Sequence, residues 1–326
     1  MVLGFAAALG LVVGSFLNVV VHRLPRGESV VRPRSRCPGC ARPIPWFENI
    51  PVLSFLALGA KCRGCGHPIS WRYPAVETLT GALFLAAAWL LVVRTPGGWR
   101  EAERVAHLLV AWFLLADLVA LSFIDLDHRI LPDRLTKPAM AAGAVASLLL
   151  PRLQDTALLP TLAPAAAALL LSLAGMVAGY ASLWLVAWAG ERLLRKEAMG
   201  LGDAKLLALV GAFTGPGGVL IAAVVGLMLG LLMGLARQAV TKDPSFPFGP
   251  ALAVGGVGAL LAPAEVRAAL ASATDFFADP RGGLAVAAVC GLLLLSIRGR
   301  LPRLAFLALA LLAASLAGLN LVLLLR

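Results

Sequence analysis

Two aspartates and four cysteines are the residues of this sequence whose type and spacing suggest chemistry. Asp125, in the run Ile124-Asp125-Leu126-Asp127-His128-Arg129-Ile130-Leu131-Pro132-Asp133, directly follows an apolar segment. Asp203, in Gly200-Leu201-Gly202-Asp203-Ala204-Lys205, opens another. An ionisable group at the edge of an apolar helix is costly to keep there and marks a functional site by default. Gly200 and Gly202 lack side chains, so a neighbouring helix or an extended substrate can approach closely, and Lys205 is assigned to the same approach. Two carboxylates brought together in a partly desolvated place cannot both ionise easily, so one keeps a proton. That is the working arrangement of an aspartic protease, in which the anion activates water and the acid polarises the peptide carbonyl. Asp at a helix start also serves as a plain N-cap, and the two motifs alone leave both readings open.

Cys37-Pro38-Gly39-Cys40 and Cys62-Arg63-Gly64-Cys65 are two Cys-x-x-Cys knuckles separated by 21 residues, close to the spacing of a zinc ribbon. Four thiolates on two such turns suit a closed tetrahedral zinc site that is structural, with no open position for substrate. Disulfides or free thiols are the alternatives, and a reducing compartment favours metal. His67 reads as a surface residue beside the second knuckle, and Cys290 as a small packing residue in an apolar span. Asp117 lies inside an apolar run before Asp125, where a helix-packing hydrogen bond, tuning of Asp125 or a polar path are the options. Glu77, at the start of another span, either pairs with an arginine or touches the site.

The elements that must position these residues are membrane helices. The 326 residues are 60% hydrophobic and 14% charged, with a mean hydropathy of +0.90, beyond what a soluble domain carries. Lipid cannot satisfy a strand edge, so the fold class is an all-α polytopic membrane protein with about eight to ten transmembrane helices. The spans fall near 2–21, 75–93, 104–124, 137–151, 160–188, 204–215, 217–236, 249–266, 282–297 and 304–325. The first is read as a membrane helix rather than a removed signal. No internal repeat stands out.

Residues 22–73 hold nine basic side chains against Glu28 and Glu48, which places that segment in the cytoplasm and the N-terminus outside. Alternating the later spans from there puts 21 of the 28 lysines and arginines on the cytoplasmic side, an agreement not used in choosing the spans. Asp125 and Asp203 then share the cytoplasmic face. Basic loops also account for the net charge of +11 without a nucleic-acid partner. The organisation expected is a first helix over 1–21, a zinc-ribbon-like four-cysteine insertion over 22–74, a membrane protease domain over 75–270 and extra helices over 271–326.

The ordered runs resemble one family. They are Gly14-Ser15-Phe16-Leu17-Asn18-Val19-Val20 with Arg23-Leu24-Pro25, the two cysteine knuckles, Asn49-Ile50-Pro51-Val52-Leu53-Ser54, and Ile69-Ser70-Trp71-Arg72-Tyr73-Pro74 with Glu77. The two aspartate runs and Pro247-Phe248-Gly249-Pro250 follow in the same order. In these the chain is similar to bacterial type IV prepilin peptidases, over about residues 10–255. The resemblance implies an inner-membrane aspartyl protease of the Gly-x-Gly-Asp type, with Asp125 and Asp203 as the catalytic pair. It implies cleavage of prepilins or pseudopilins at the cytoplasmic face, after a glycine that precedes the substrate's hydrophobic helix. It further implies N-methylation of the new N-terminus from S-adenosylmethionine, associated with the 22–73 segment. The sequence departs from the family pattern after about residue 270. A zinc-ribbon membrane scaffold, with both aspartates merely capping helices, is the rival from another class. A transporter would need acids near mid-membrane on several helices, and only Asp117 qualifies.

Overall fold

The computed structural model describes residues 1–94, 98–194, 200–241 and 247–261. Among them the chain is helical, with two isolated β-bridges and no strand. The helices are α1 (Val2–Arg23), α2 (Leu53–Ala57), α3 (Arg72–Ala88, continued by a π-turn at Trp89–Val93), α4 (Glu101–His128), α5 (Asp133–Leu149), α6 (Pro164–Leu194), α7 (Leu201–Thr241) and α8 (Gly249–Leu261). Among the described residues, five segments are long and apolar enough to cross a membrane: Val2–Arg26, Arg72–Val93, Glu101–His128, Pro164–Trp188 and Leu201–Gly234. The expected span at 137–151 corresponds to the shorter α5, and that at 249–266 to the start of a helix whose last described residue is Leu261. The spans at 282–297 and 304–325, with Cys290, lie outside the described residues.

The chain divides into two compact units, Met1–Ala181 with Gly202–Ala262, and Ser182–Leu201 with Pro263–Arg326. Within the first, α4 is the centre. Its Leu114, Leu115, Leu118, Leu121 and Ile124 are all but sealed, and it packs on α1, α3, α5 and α8. Around it the helices approach through glycines, as membrane helices do when van der Waals contact has to replace a hydrophobic drive. A methyl group at Gly10 would sit 2.8 Å from the Gly81 Cα, and one at Gly14 2.7 Å from the Glu77 Cα, so α1 and α3 meet almost backbone to backbone. The α6–α7 crossing is reciprocal: Gly175 faces the carbonyl oxygen of Gly211, and Gly211 that of Gly175. In the second unit, the Arg192 guanidinium lies over the Trp188 ring at 4.7 Å.

The sequence reading splits α7 into spans ending at 215 and starting at 217, and the helix does break there. Gly215 takes φ 66°, a value that glycine adopts without the cost of a Cβ, and Pro216 follows. Proline has no N–H, so the carbonyl of Ala212 four residues earlier loses its helical donor. Three side chains replace it. Ser172 donates at 2.6 Å, and Ser147 and Gln154 each donate at 3.3 Å. They come from α6, from α5 and from the loop after α5, so one proline fixes how three segments assemble.

The two kinds of contact predict a ranking. Gly211→Ala drives a carbon against a backbone carbonyl and is expected to cost about 1–3 kcal/mol or more. Ser172→Ala removes one of three donors on a shared carbonyl and is expected to cost about 1 kcal/mol. Thermal midpoints of the purified variants in detergent check the order.

Candidate functional site

Four helix ends converge around Asp125. The aspartate occupies the last turn of α4, not the loop beyond it, and is 6% exposed. Its Oδ2 accepts the N–H of Gly249, the first residue of α8, at 3.1 Å. Free N–H groups at a helix N-terminus are natural partners for a carboxylate. A methyl group at Gly249 would fall 2.6 Å from that oxygen, so only glycine leaves space for it. The run Pro247-Phe248-Gly249-Pro250 was legible in the sequence, but its role as the partner of Asp125 was not. The signal was a glycine between Pro247-Phe248 and Pro250 that opens an apolar helix.

Asp203 sits in the first turn of α7, half-buried, and close enough to Asp125 for the two carboxyl groups to act on one another electrostatically. Gly202 faces the Leu131 side chain, which a methyl group there would meet at 3.3 Å. Gly200 falls in the second compact unit. Lys205 turns to Asp133, the first residue of α5, and donates to its Oδ1 at 2.5 Å, while Lys137 holds the other oxygen at 2.7 Å. Lys137 and then Lys205 pull the Asp133 carboxyl down to about 2. Arg72, at the start of α3, binds Asp127 and donates to the Phe123 carbonyl at 3.1 Å. Asp127 and Asp133, which follow Asp125 in the chain, are thus tethers between elements.

Two acids stand apart from the pair. Glu77 accepts the N–H of Val52 at 2.8 Å, below the cysteine-bearing segment. Asp117 is 8% exposed on α4, and its Oδ2 makes no hydrogen bond among the described residues, so this oxygen does not supply the helix-packing bond expected of it.

The ligand atoms of Cys37, Cys40, Cys62 and Cys65 all lie within 4.8 Å of one another. The Cys37 and Cys65 sulfurs are 3.7 Å apart, about the edge of a tetrahedron with Zn–S bonds of about 2.3 Å. The knuckles are built alike. Cys37 N–H donates to Arg42 O and Cys62 N–H to His67 O, while Ala41 and Gly66 return to the first cysteine of each turn. A β-bridge closes each loop, Arg36 with Pro43 and Lys61 with Pro68. The sequence therefore does contain an internal repeat, Cys-Pro-Gly-Cys-Ala-Arg-Pro-Ile and Cys-Arg-Gly-Cys-Gly-His-Pro-Ile, correcting the expectation of none. Its eight residues are too few to register against the bulk Ala/Leu bias.

The cysteine electrostatics suit a cation. The N–H groups of Gly64 and Cys65 and the Cys37 sulfur bring the Cys62 thiol down to about 7. Against the opposing pull of the His67 N–H, desolvation and the other three sulfurs push Cys65 up to about 12. Four sulfurs this close cannot all ionise unless a metal cation shares their charge. His67 lies on the surface and packs its ring on Gly39, and it is not part of the cluster.

Comparison with known proteins places these features. Residues 8–91 match the model of the bacterial peptidase A24 N-terminal domain, and residues 112–235 that of the type IV leader peptidase family. A Pseudomonas aeruginosa protein named prepilin leader peptidase/N-methyltransferase is 40% identical over 282 residues, 78% of this chain and 88% of its own. Relatives with the same name are 44% identical in Myxococcus xanthus, over 71% of this chain and 63% of theirs, and 40% identical in Aeromonas hydrophila, over 77% and 87%. No solved structure matches the chain.

The sulfur geometry predicts about one zinc per chain in the purified protein. Cys62→Ser is expected to lower that content several-fold and to make the remainder removable by a mild chelator, as read by elemental analysis.

Proposed function

This chain belongs to the type IV leader peptidase family, and on that footing we propose that it removes the leaders of prepilins or pseudopilins by aspartyl proteolysis at Asp125 and Asp203. The reading is supported by the placement of one carboxyl group at the last turn of α4 and the other at the first turn of α7, close enough to act on one another electrostatically, with the Gly249 N–H fixing one oxygen of Asp125. In the proposed reaction the anionic partner takes a proton from water, the water oxygen attacks the scissile carbonyl, and the protonated partner hydrogen-bonds the developing oxyanion. The proton then passes to the leaving nitrogen as the C–N bond breaks. Because Gly249 occupies Oδ2, the other oxygen of Asp125 is the one available to water.

The basic 22–73 segment and the basic later loops support a site at the cytoplasmic face of the inner membrane with the N-terminus outside. A substrate helix would then lie in the bilayer with its leader in the cytoplasm, bringing the scissile bond to the interface. Cys37, Cys40, Cys62 and Cys65 are proposed to hold a structural zinc, which closes the fold of their segment and leaves no position for substrate. N-methylation of the new terminus from S-adenosylmethionine completes the reading, in line with the names of the relatives.

The test incubates purified wild type, Asp125→Asn and Asp203→Asn with a prepilin in detergent and weighs the products. Each variant is expected to cleave at least about a hundredfold more slowly. Wild-type turnover by either would overturn the aspartyl mechanism and leave both aspartates as helix caps. Gly249→Ala, which crowds Asp125 without changing any ionisable group, is expected to lose cleavage while keeping its zinc.

A further inference from the structure

The proposed reaction gives no part to Arg72, yet its guanidinium grips the end of α4 at three points. Nη1 pairs with the Asp127 carboxylate, and Nη2 donates to the Phe123 carbonyl at 3.1 Å. The guanidinium carbon also lies 5.2 Å from the centre of the Phe123 ring. Phe123 and Asp127 are one helical turn apart, and Asp125 lies between them.

The end of a helix needs such a grip. Its C-terminus carries the negative end of the backbone dipole, so a carboxylate at Asp127 has the wrong sign there and a cation has the right one. Without Arg72, the turn that bears Asp125 would hold an uncompensated charge two residues away. Arginine is suited to the task because its planar fork spans two acceptors, whereas the single nitrogen of a lysine meets one. Arg72 is itself held on both sides. Trp71 packs edge-on against the buried Phe55 ring at 4.7 Å, and the Tyr73 carbonyl accepts the Asn18 amide at 3.1 Å.

The Arg72 and Asp127 side chains are 33% and 34% exposed, and an ion pair open to water to that extent adds little stability. What the contact supplies is position. We propose that Arg72 is a positioning residue for proteolysis, clamping the last turn of α4 so that the Asp125 carboxyl group stays in register with Asp203. The inference rests on the aspartyl reading above and adds what holds the first aspartate in place. A carboxyl group that must aim a water at a carbonyl tolerates little displacement, and a shift of about 1 Å can cost about a hundredfold in rate.

The opposite end of the same helix provides a matched comparison. Arg152 pairs with Glu103 in the first turn of α4 at 3.0 Å and lies 4.9 Å from the centre of the Trp99 ring. The chemistry of the two contacts is alike, and only the first is beside Asp125.

The experiment uses the full-length purified protein in detergent with a prepilin, and measures kcat, KM, zinc content and thermal midpoint. The proteins compared are wild type, Arg72→Gln, Arg72→Lys, Arg152→Gln and Asp125→Asn. Arg72→Gln is expected to lower kcat about tenfold or more with KM within about twofold and zinc unchanged. Arg72→Lys, which keeps the charge and loses the fork, is expected to fall between Arg72→Gln and wild type. Arg152→Gln is expected to keep kcat within about twofold of wild type while its thermal midpoint drops as far as that of Arg72→Gln. Wild-type kcat in Arg72→Gln, a loss confined to KM, or an equal loss of kcat in Arg152→Gln overturns the positioning role. If Asp125→Asn is inactive, each of those results leaves the aspartyl reading standing; wild-type turnover by Asp125→Asn overturns both. Should Arg72→Gln misfold, Arg72→Lys decides, and wild-type kcat in that variant overturns the role.

Discussion

A polar group carried into a bundle of apolar helices finds no water there, and this fold is organised around the partners it supplies instead. The Ala212 carbonyl, orphaned by Pro216, gathers Ser147, Gln154 and Ser172. The Trp112 indole donates to the Phe84 carbonyl at 3.0 Å, which joins α4 to α3. Asn18 donates to the Tyr73 carbonyl at 3.1 Å, which joins α1 to the start of α3. Asp125 meets Gly249, and Glu77 meets Val52. Each bond crosses between elements, so polar satisfaction and tertiary assembly are the same event.

Glycine is what makes those distances reachable. Backbones can exchange hydrogen bonds with side chains from the next helix only when the axes come close, and the α1–α3 and α6–α7 crossings show how close that is. The same property serves the site, since the room for the Asp125 carboxylate is the missing side chain of Gly249. Packing and chemistry thus draw on one residue type, which is why a run such as Gly-x-Gly-Asp is ambiguous by itself. Gly202 was read as space for a substrate, and it lies against Leu131.

The helices and the four-sulfur cluster were legible because they depend on patterns local to the chain: apolar runs of sufficient length, and paired cysteines at knuckle spacing. The break at Gly215-Pro216 was legible for the same reason. What escaped were pairings across long sequence separations. Nothing near Asp125 says that its partner is 124 residues away at Gly249, or that Lys205 reaches back to Asp133. The repeated knuckle escaped for the opposite reason, being local but too short to stand out. Asp127 with Arg72 and Asp133 with Lys205 are likewise tethers that only the folded arrangement shows.

The broken helix α7 has a mechanical consequence. Its first half is sealed in protein, with Leu206, Leu207, Leu209 and Val210 all at 0% exposure, whereas the second half shows lipid Leu220 and Leu227 at 64% and Leu232 at 63%. A helix facing lipid tilts when bilayer thickness changes, and a continuous rod would pass that tilt along its whole length. Here the ladder is cut at Gly215-Pro216, and the stub carrying Asp203 is pinned by Ser147, Gln154 and Ser172 through Ala212. A tilt of the second half is therefore not passed through an unbroken hydrogen-bond ladder to the turn that holds Asp203.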